Sequence, residues 1–192
     1  MTRFLYDFNS PYAYLASARV DEVLGDGVRW EPISFGFLLR TTGRRPWSFT
    51  EAREAGMREC ERRAAEYGLP PIVWSEGWPV ESYSLLPLRA AYVAQEHGRL
   101  REVSQALFAA FFARGEPLGD IEVVARAAEE AGVPADAVRA GVEREEIKAR
   151  LRDATEAAIA QGVVGVPTVV AGDELFWGDD RLEDAAAIAQ RG

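Results

Sequence analysis

The chain has 192 residues, 48% of them hydrophobic and 28% charged, which is enough for one domain with a full core and no need of disulfides or structural metal. Its net charge of −9, from 22 basic and 31 acidic residues, argues against an electrostatic nucleic-acid binder and a polybasic membrane binder, leaving small molecules or proteins as partners. One cysteine, Cys60, and one histidine, His97, rule out an intrachain disulfide and a Cys-x-x-Cys redox centre and leave no basis for a metal site built on Cys and His.

Phe4 to Phe8 is a short apolar run ending at Asn9, Ser10 and Pro11, the pattern of a strand and a turn. Ser10 as N-cap with Pro11 in the first helical position then starts a helix that is expected to reach Leu24 and stop at Gly25-Asp26-Gly27. Val28 to Ser34 alternates as a second strand, with Pro32 marking an edge position or a bulge. From about Gly36 the spacing is helical for some 120 residues. Helices are expected over 49–67, 84–96, 100–114, 121–131, 135–140 and 143–161, with a proline- and tryptophan-rich loop from Pro70 to Pro79 after the first. Thr168–Val170 and Leu175–Trp177 read as a hairpin, and Asp180–Gln190 as a closing helix, with Asp180-x-x-Glu183 resembling a capping box. No basic start with an apolar core precedes the first strand, and no apolar run of about 18 residues occurs, so a cytoplasmic protein is expected. The order β-α-β, helical block, α-β-β-α predicts an α/β protein with a thioredoxin-like fold and a large all-helical insertion. The thioredoxin-like part comprises residues 1–35 plus 156–192, and the insertion residues 36–155.

Ser10 is the most informative position, because a hydroxyl and free backbone N–H groups at a helix start favour a thiolate or another anion. The same residue also serves as a plain cap. Gly165-Val166-Pro167-Thr168 places a proline directly before a strand, where a cis Val166-Pro167 bond would leave the Val166 backbone facing outward and a trans bond would be an ordinary strand entry. Cys60, between Glu59 and Glu61, reads as an inert thiol whose acidic neighbours raise its pKa.

Asp7-Phe8-Asn9-Ser10-Pro11-Tyr12-Ala13-Tyr14-Leu15, Gly165-Val166-Pro167-Thr168 and Phe176-Trp177-Gly178-Asp179-Asp180-Arg181-Leu182, in this order, resemble the 2-hydroxychromene-2-carboxylate isomerases and kappa-class glutathione transferases of the DsbA-like thioredoxin superfamily. The resemblance spans the chain and implies glutathione as cofactor, with Ser10 hydrogen-bonded to its sulfur, Val166 with Pro167 pairing its cysteinyl part, and Asp179 with Asp180 holding its γ-glutamyl end. Asp179 stands where the family keeps a neutral residue, and a free carboxylate there would repel the γ-glutamyl carboxylate. Where the family has Gly-Asn before a proline and then a Lys, this chain has Gly43-Arg44-Arg45-Pro46 and Arg53, so Arg44 and Arg53 are expected to hold carboxylates with a different donor. Tyr12, Trp74, Trp78 and Tyr83 are expected either to pack their loop or to wall an aromatic substrate.

The activity implied is the glutathione-dependent isomerisation of a small aromatic or anionic carboxylic acid, through a Ser10-stabilised thiolate. A kappa-like transferase or peroxidase, or a non-catalytic thioredoxin-fold binding protein, are the alternatives. No metal site is expected, and a homodimer follows from the resemblance alone.

Overall fold

The computed structural model describes residues 1–80 and 82–190. Strands β1 (Arg3–Tyr6) and β2 (Arg29–Pro32) pair in parallel, and β1 pairs antiparallel with β3 (Thr168–Ala171), which forms a hairpin with β4 (Glu174–Trp177). The sheet order is β2-β1-β3-β4. Pro32, which has no N–H to give a central ladder, therefore lies on an edge strand.

Side chains alternate across the sheet, so β1 divides the core. Phe4 and Tyr6 point into the larger cluster with Trp30, and Tyr6 meets Phe108 at 5.7 Å between ring centroids while its hydroxyl lies 2.6 Å from that of Ser104. Leu5 points the other way, into a smaller cluster with Ile33, Leu38, Ala158 and Val166. Helices α1 (Pro11–Ser17), α2 (Val20–Leu24), α5 (Leu85–Glu96), α6 (Leu100–Phe108), α7 (Ile121–Glu130), α8 (Ala135–Gly141) and α10 (Leu182–Ala189) contribute to the first cluster. Helix α3 (Phe35–Thr42) contributes to the second, and α9 (Glu145–Ala160) to both, with Ile147 and Leu151 in the first and Ala158 in the second. Helix α4 (Arg53–Glu66) packs on α1 and carries the side wall of the site. Helical residues thus pack directly on β1, and the expected boundary between residues 155 and 156 falls inside α9, whose Thr155 hydroxyl accepts from the Ser34 N–H at 3.0 Å.

Several expected elements are divided. The first helix breaks at Ala18 and Arg19, giving α1 and α2. The 49–67 helix starts at Arg53, after a 3-10 turn over Trp47–Phe49, and the 100–114 helix ends as a π turn over Ala109–Ala113. Helix α3 has no separate counterpart among the expected elements. It is capped by Ser34, whose hydroxyl accepts from the Phe37 N–H at 3.3 Å, and stops at Gly43, which takes the left-handed φ of 65° that other residues avoid. The capping box at Asp180 does not form: Asp179–Arg181 is a 3-10 turn, α10 begins at Leu182, and no side chain caps it. Among the described residues no helix is long and apolar enough to cross a membrane.

Candidate active site

The C-terminal end of β1, the start of α1, the start of α3 and the turn before β3 converge on a cleft of about 480 Å3. Ser10 caps α1, accepting from the Ala13 N–H at 3.2 Å, and its hydroxyl donates to the Val166 carbonyl at 3.2 Å. The Val166–Pro167 bond is cis, as is Trp78–Pro79. Ser10 and the turn before β3 are thus in direct contact across 156 residues of sequence.

The start of α1 offers fewer free donors than a longer, fully open helix end. Pro11 has no N–H, Ala13 has given its own to Ser10, and Tyr12 is left with one. Polarisation of an anion here therefore rests mainly on the Ser10 hydroxyl.

Gly178 closes the other side. Its N–H donates to the Pro167 carbonyl at 3.0 Å, and its φ of 126° turns the chain so that Asp179 goes inward and Asp180 outward. Asp179 is 1% exposed and its charge is already matched. One carboxylate oxygen accepts from Arg63 Nη1 at 2.8 Å and the other from the Tyr67 hydroxyl at 3.2 Å. Burial pushes the Asp179 carboxyl above its ordinary range while Arg63 pulls it back. Arg63 is pulled down by burial but held above its ordinary value overall by Glu59, which accepts from Nε at 2.8 Å, and by Asp179. The expectation of a free, repelling carboxylate at Asp179 is corrected accordingly: it is an internal partner of Arg63. Asp180 stays exposed on the cleft wall.

Of the other expected residues, Tyr12, Trp78, Arg44, Val166 and Pro167 line the cleft. Arg44 lies 4.3 Å above the Trp177 ring, a cation–π contact at the mouth. Burial pushes the Tyr12 phenol up, so it remains protonated at neutral pH. Three expectations are corrected. Arg53 is outside the lining and donates to the Trp78 carbonyl instead of facing a ligand. Trp74 is also outside, tilted against Trp78 with ring centroids 4.4 Å apart and its indole N–H 2.7 Å from Glu61. Tyr83 is 51% exposed and lies against the loop at Gly119.

Arg63, Trp47 and Trp177 also line the cleft. Of these, Trp177 sat in a motif with no role assigned to it, and Arg63 gave no local signal, because its partner is 116 residues away. Cys60 is fully buried, and its thiol is pushed up to about 12 chiefly by burial, then by the Asp179 charge. Of its two acidic sequence neighbours only Glu59 contributes, as the smallest of the causes. Asp7, beneath the site, accepts from the N–H groups of Asn9 and Phe35 and from the Ser84 hydroxyl, at 2.9, 2.7 and 3.1 Å. Its burial pushes the carboxyl up to about 6. His97 ends α5, outside the cleft lining. Among the described residues no cluster of acidic, histidine and cysteine side chains could hold a metal ion.

Known proteins match this arrangement along its length. The 2-hydroxychromene-2-carboxylate isomerase of Sphingobium xenophagum is 26% identical over 186 residues, covering 94% of this chain and 93% of the relative. Human glutathione S-transferase kappa 1 is 24% identical over 193 residues, covering 93% and 85%. A solved 2-hydroxychromene-2-carboxylate isomerase superposes with a TM-score of 0.86 at 24% identity, covering 99% of this chain and 94% of that one. Residues 3–189 match the DsbA-like thioredoxin domain, and the chain belongs to that family.

Proposed function

We propose that the chain is a glutathione-dependent isomerase of an aromatic carboxylic acid, in which Ser10 holds the glutathione thiolate. The observation that carries this reading is the Ser10 hydroxyl resting on the Val166 carbonyl, beside cis-Pro167, in a cleft walled by tryptophans and arginines. The isomerase and kappa-class relatives support it.

The cleft fits a tripeptide. Its 480 Å3 lies within the range of about 300–1,000 Å3 usual for small-molecule sites. Val166 offers a backbone carbonyl for an extended peptide, the exposed Asp180 a carboxylate for an ammonium, and the exposed Arg44 and Arg45 guanidinium groups for carboxylates. Trp78, Tyr12 and Phe35 leave an apolar, flat-walled space beside them.

Glutathione, when bound, supplies a thiolate that adds reversibly to an unsaturated carbon and leaves unchanged after bond rotation. A thiol with an ordinary pKa of about 8.5 is only about 3% ionised at pH 7. Lowering it by about two units takes roughly 2.7 kcal/mol, within the range of one hydrogen bond to a charged acceptor. The Ser10 hydroxyl has a single proton, which it gives to Val166 in this structure. A ligand N–H that takes over the Val166 carbonyl would release that proton for the sulfur, so binding the peptide and switching on the donor are one event.

Two measurements test the reading. Glutathione at 100 times its dissociation constant should stabilise the fold by about 2.7 kcal/mol. Ser10→Ala should still bind glutathione, through Val166, Asp180 and the arginines, but the ultraviolet absorbance of the bound thiolate should titrate at higher pH than in the wild type. Coincident titrations would reduce Ser10 to a helix cap and end the proposal. Glutathione consumed in proportion to product, instead of recycled, would favour a kappa-like transferase.

A further inference from the structure

We propose that Arg40, Arg44 and Arg45 form a capture patch that draws anionic ligands to the cleft mouth, and that Arg40 sets their rate of arrival without touching the bound molecule. The inference rests on the proposed isomerase reading for the identity of the ligands, glutathione and an aromatic carboxylate, both anions at neutral pH. A chain of net charge −9 repels both unless a local excess of positive charge marks the entrance.

Ion pairing leaves such an excess at one place. Among the described residues, Lys148 and every arginine other than Arg40, Arg44, Arg45 and Arg53 make an ion pair with a carboxylate. Carboxylates are not in short supply, since 31 acidic residues face 22 basic ones. The four exceptions follow one another along the chain with no other basic residue between them. Arg53 is occupied by the Trp78 carbonyl, which leaves three. The acidic residues that follow do not neutralise them: Glu54 pairs with Arg58 at 3.6 Å, and Glu51 makes no ion pair among the described residues.

The three surround one opening. Arg44 and Arg45 line the cleft, and Arg40 stands in the last turn of α3, outside the lining but directly after the lining residue Leu39. All three are exposed. Arg44 is held over the Trp177 ring, which packs so closely on Gly165 that an added Cβ would lie 2.4 Å from its Nε1. A cation–π contact fixes the guanidinium without cancelling its charge. Of the two carboxylates in the cleft lining, Asp179 is matched by Arg63, so only Asp180 opposes the patch. A unit charge about 10 Å away in water changes the local concentration of a monoanion about twofold, which is the scale on which Arg40 acts.

The test follows glutathione association with the full chain by stopped-flow tryptophan fluorescence, read from Trp47, Trp78 and Trp177 in the cleft lining. Arg40→Glu changes the local charge by two units. At an ionic strength of about 20 mM it should lower the association rate constant about fourfold and leave the dissociation rate constant unchanged. The difference should close at about 0.5 M salt, and Arg40→Lys, which keeps the charge but not the guanidinium fork, should match the wild type. Equal association of Arg40→Glu and wild type at low salt, a deficit that persists at high salt or in Arg40→Lys, or a loss carried by dissociation would overturn the proposal. Should glutathione fail to bind the wild type, the isomerase reading falls, and the patch is judged by calorimetry with trans-cinnamate and its uncharged amide. A preference for the carboxylate that shrinks in Arg40→Glu keeps the patch. An unchanged preference, equal binding of the two, or no binding of either overturns it.

Discussion

The pairing of Asp179 with Arg63 changes what a single substitution should do. Asp179→Asn keeps the shape and one acceptor but removes the buried charge between Arg63 and Tyr67. The lost charge-assisted bond should cost about 2 kcal/mol, or roughly 4–8 °C in Tm for a chain of this size. Arg63, which lines the cleft, would then have a guanidinium less engaged by the protein and more available to a ligand carboxylate. The expected outcome is opposite signs in two measurements: lower stability by thermal melting and a lower glutathione dissociation constant by calorimetry. Unchanged or weaker affinity would assign Arg63 to structure alone. The substitution of a carboxylate for a neutral residue at position 179 was legible in the sequence. Its burial was not, because burial is decided by α4, where Arg63 and Tyr67 carry no mark of a partner more than a hundred residues later.

Among the elements, α4 and the 3-10 turn before it set the width of the cleft. Trp47 sits over Gly56 so closely that an added Cβ would lie 2.3 Å from its ring, and the same ring faces Tyr12 at 6.1 Å and Trp78 at 5.7 Å. Gly56→Ala should therefore cost about 1–3 kcal/mol by overpacking and push Trp47 toward the cleft. Urea unfolding would report the first effect and a change in ligand affinity the second; a variant with wild-type stability and binding would show that the turn yields freely. The sheet, the hairpin and the helix start at Ser10 follow from local signals: alternation, a proline at an edge, a cap. The π turn at Ala109–Ala113 and the 3-10 turn at Asp179–Arg181 do not, since neither has a capping side chain to mark it. The cleft floor was readable for the same reason as the sheet, and the walls were not. Ser10, Val166 and Pro167 sit in short motifs, whereas Trp74 and Trp78 lie in one loop and only the fold decides which of them lines the cleft.

At the scale of the molecule, Asp7 ties the end of β1 to the first turn of α3 and the start of α5. Folding raises its pKa from 3.8 to about 6, so the native state holds this proton more tightly than the unfolded chain does. The stability it contributes is fully present below about pH 4 and is lost as pH rises through 6, a change of about 3 kcal/mol. Unfolding free energies of wild type and Asp7→Asn between pH 4 and 7 should differ in slope across this window, and the Asp7 carboxyl carbon should titrate near 6 by NMR. Titration in the ordinary carboxylate range would refute the assignment. The seclusion of Cys60 also reaches beyond its own surroundings. With its thiol sealed and pushed up to about 12, the polypeptide is mute to alkylating reagents and to disulfide exchange near neutral pH. Thiol ionisation seen near neutral pH in a mixture of this protein with glutathione therefore belongs to the tripeptide, whose titration is read without a contribution from the chain's own cysteine.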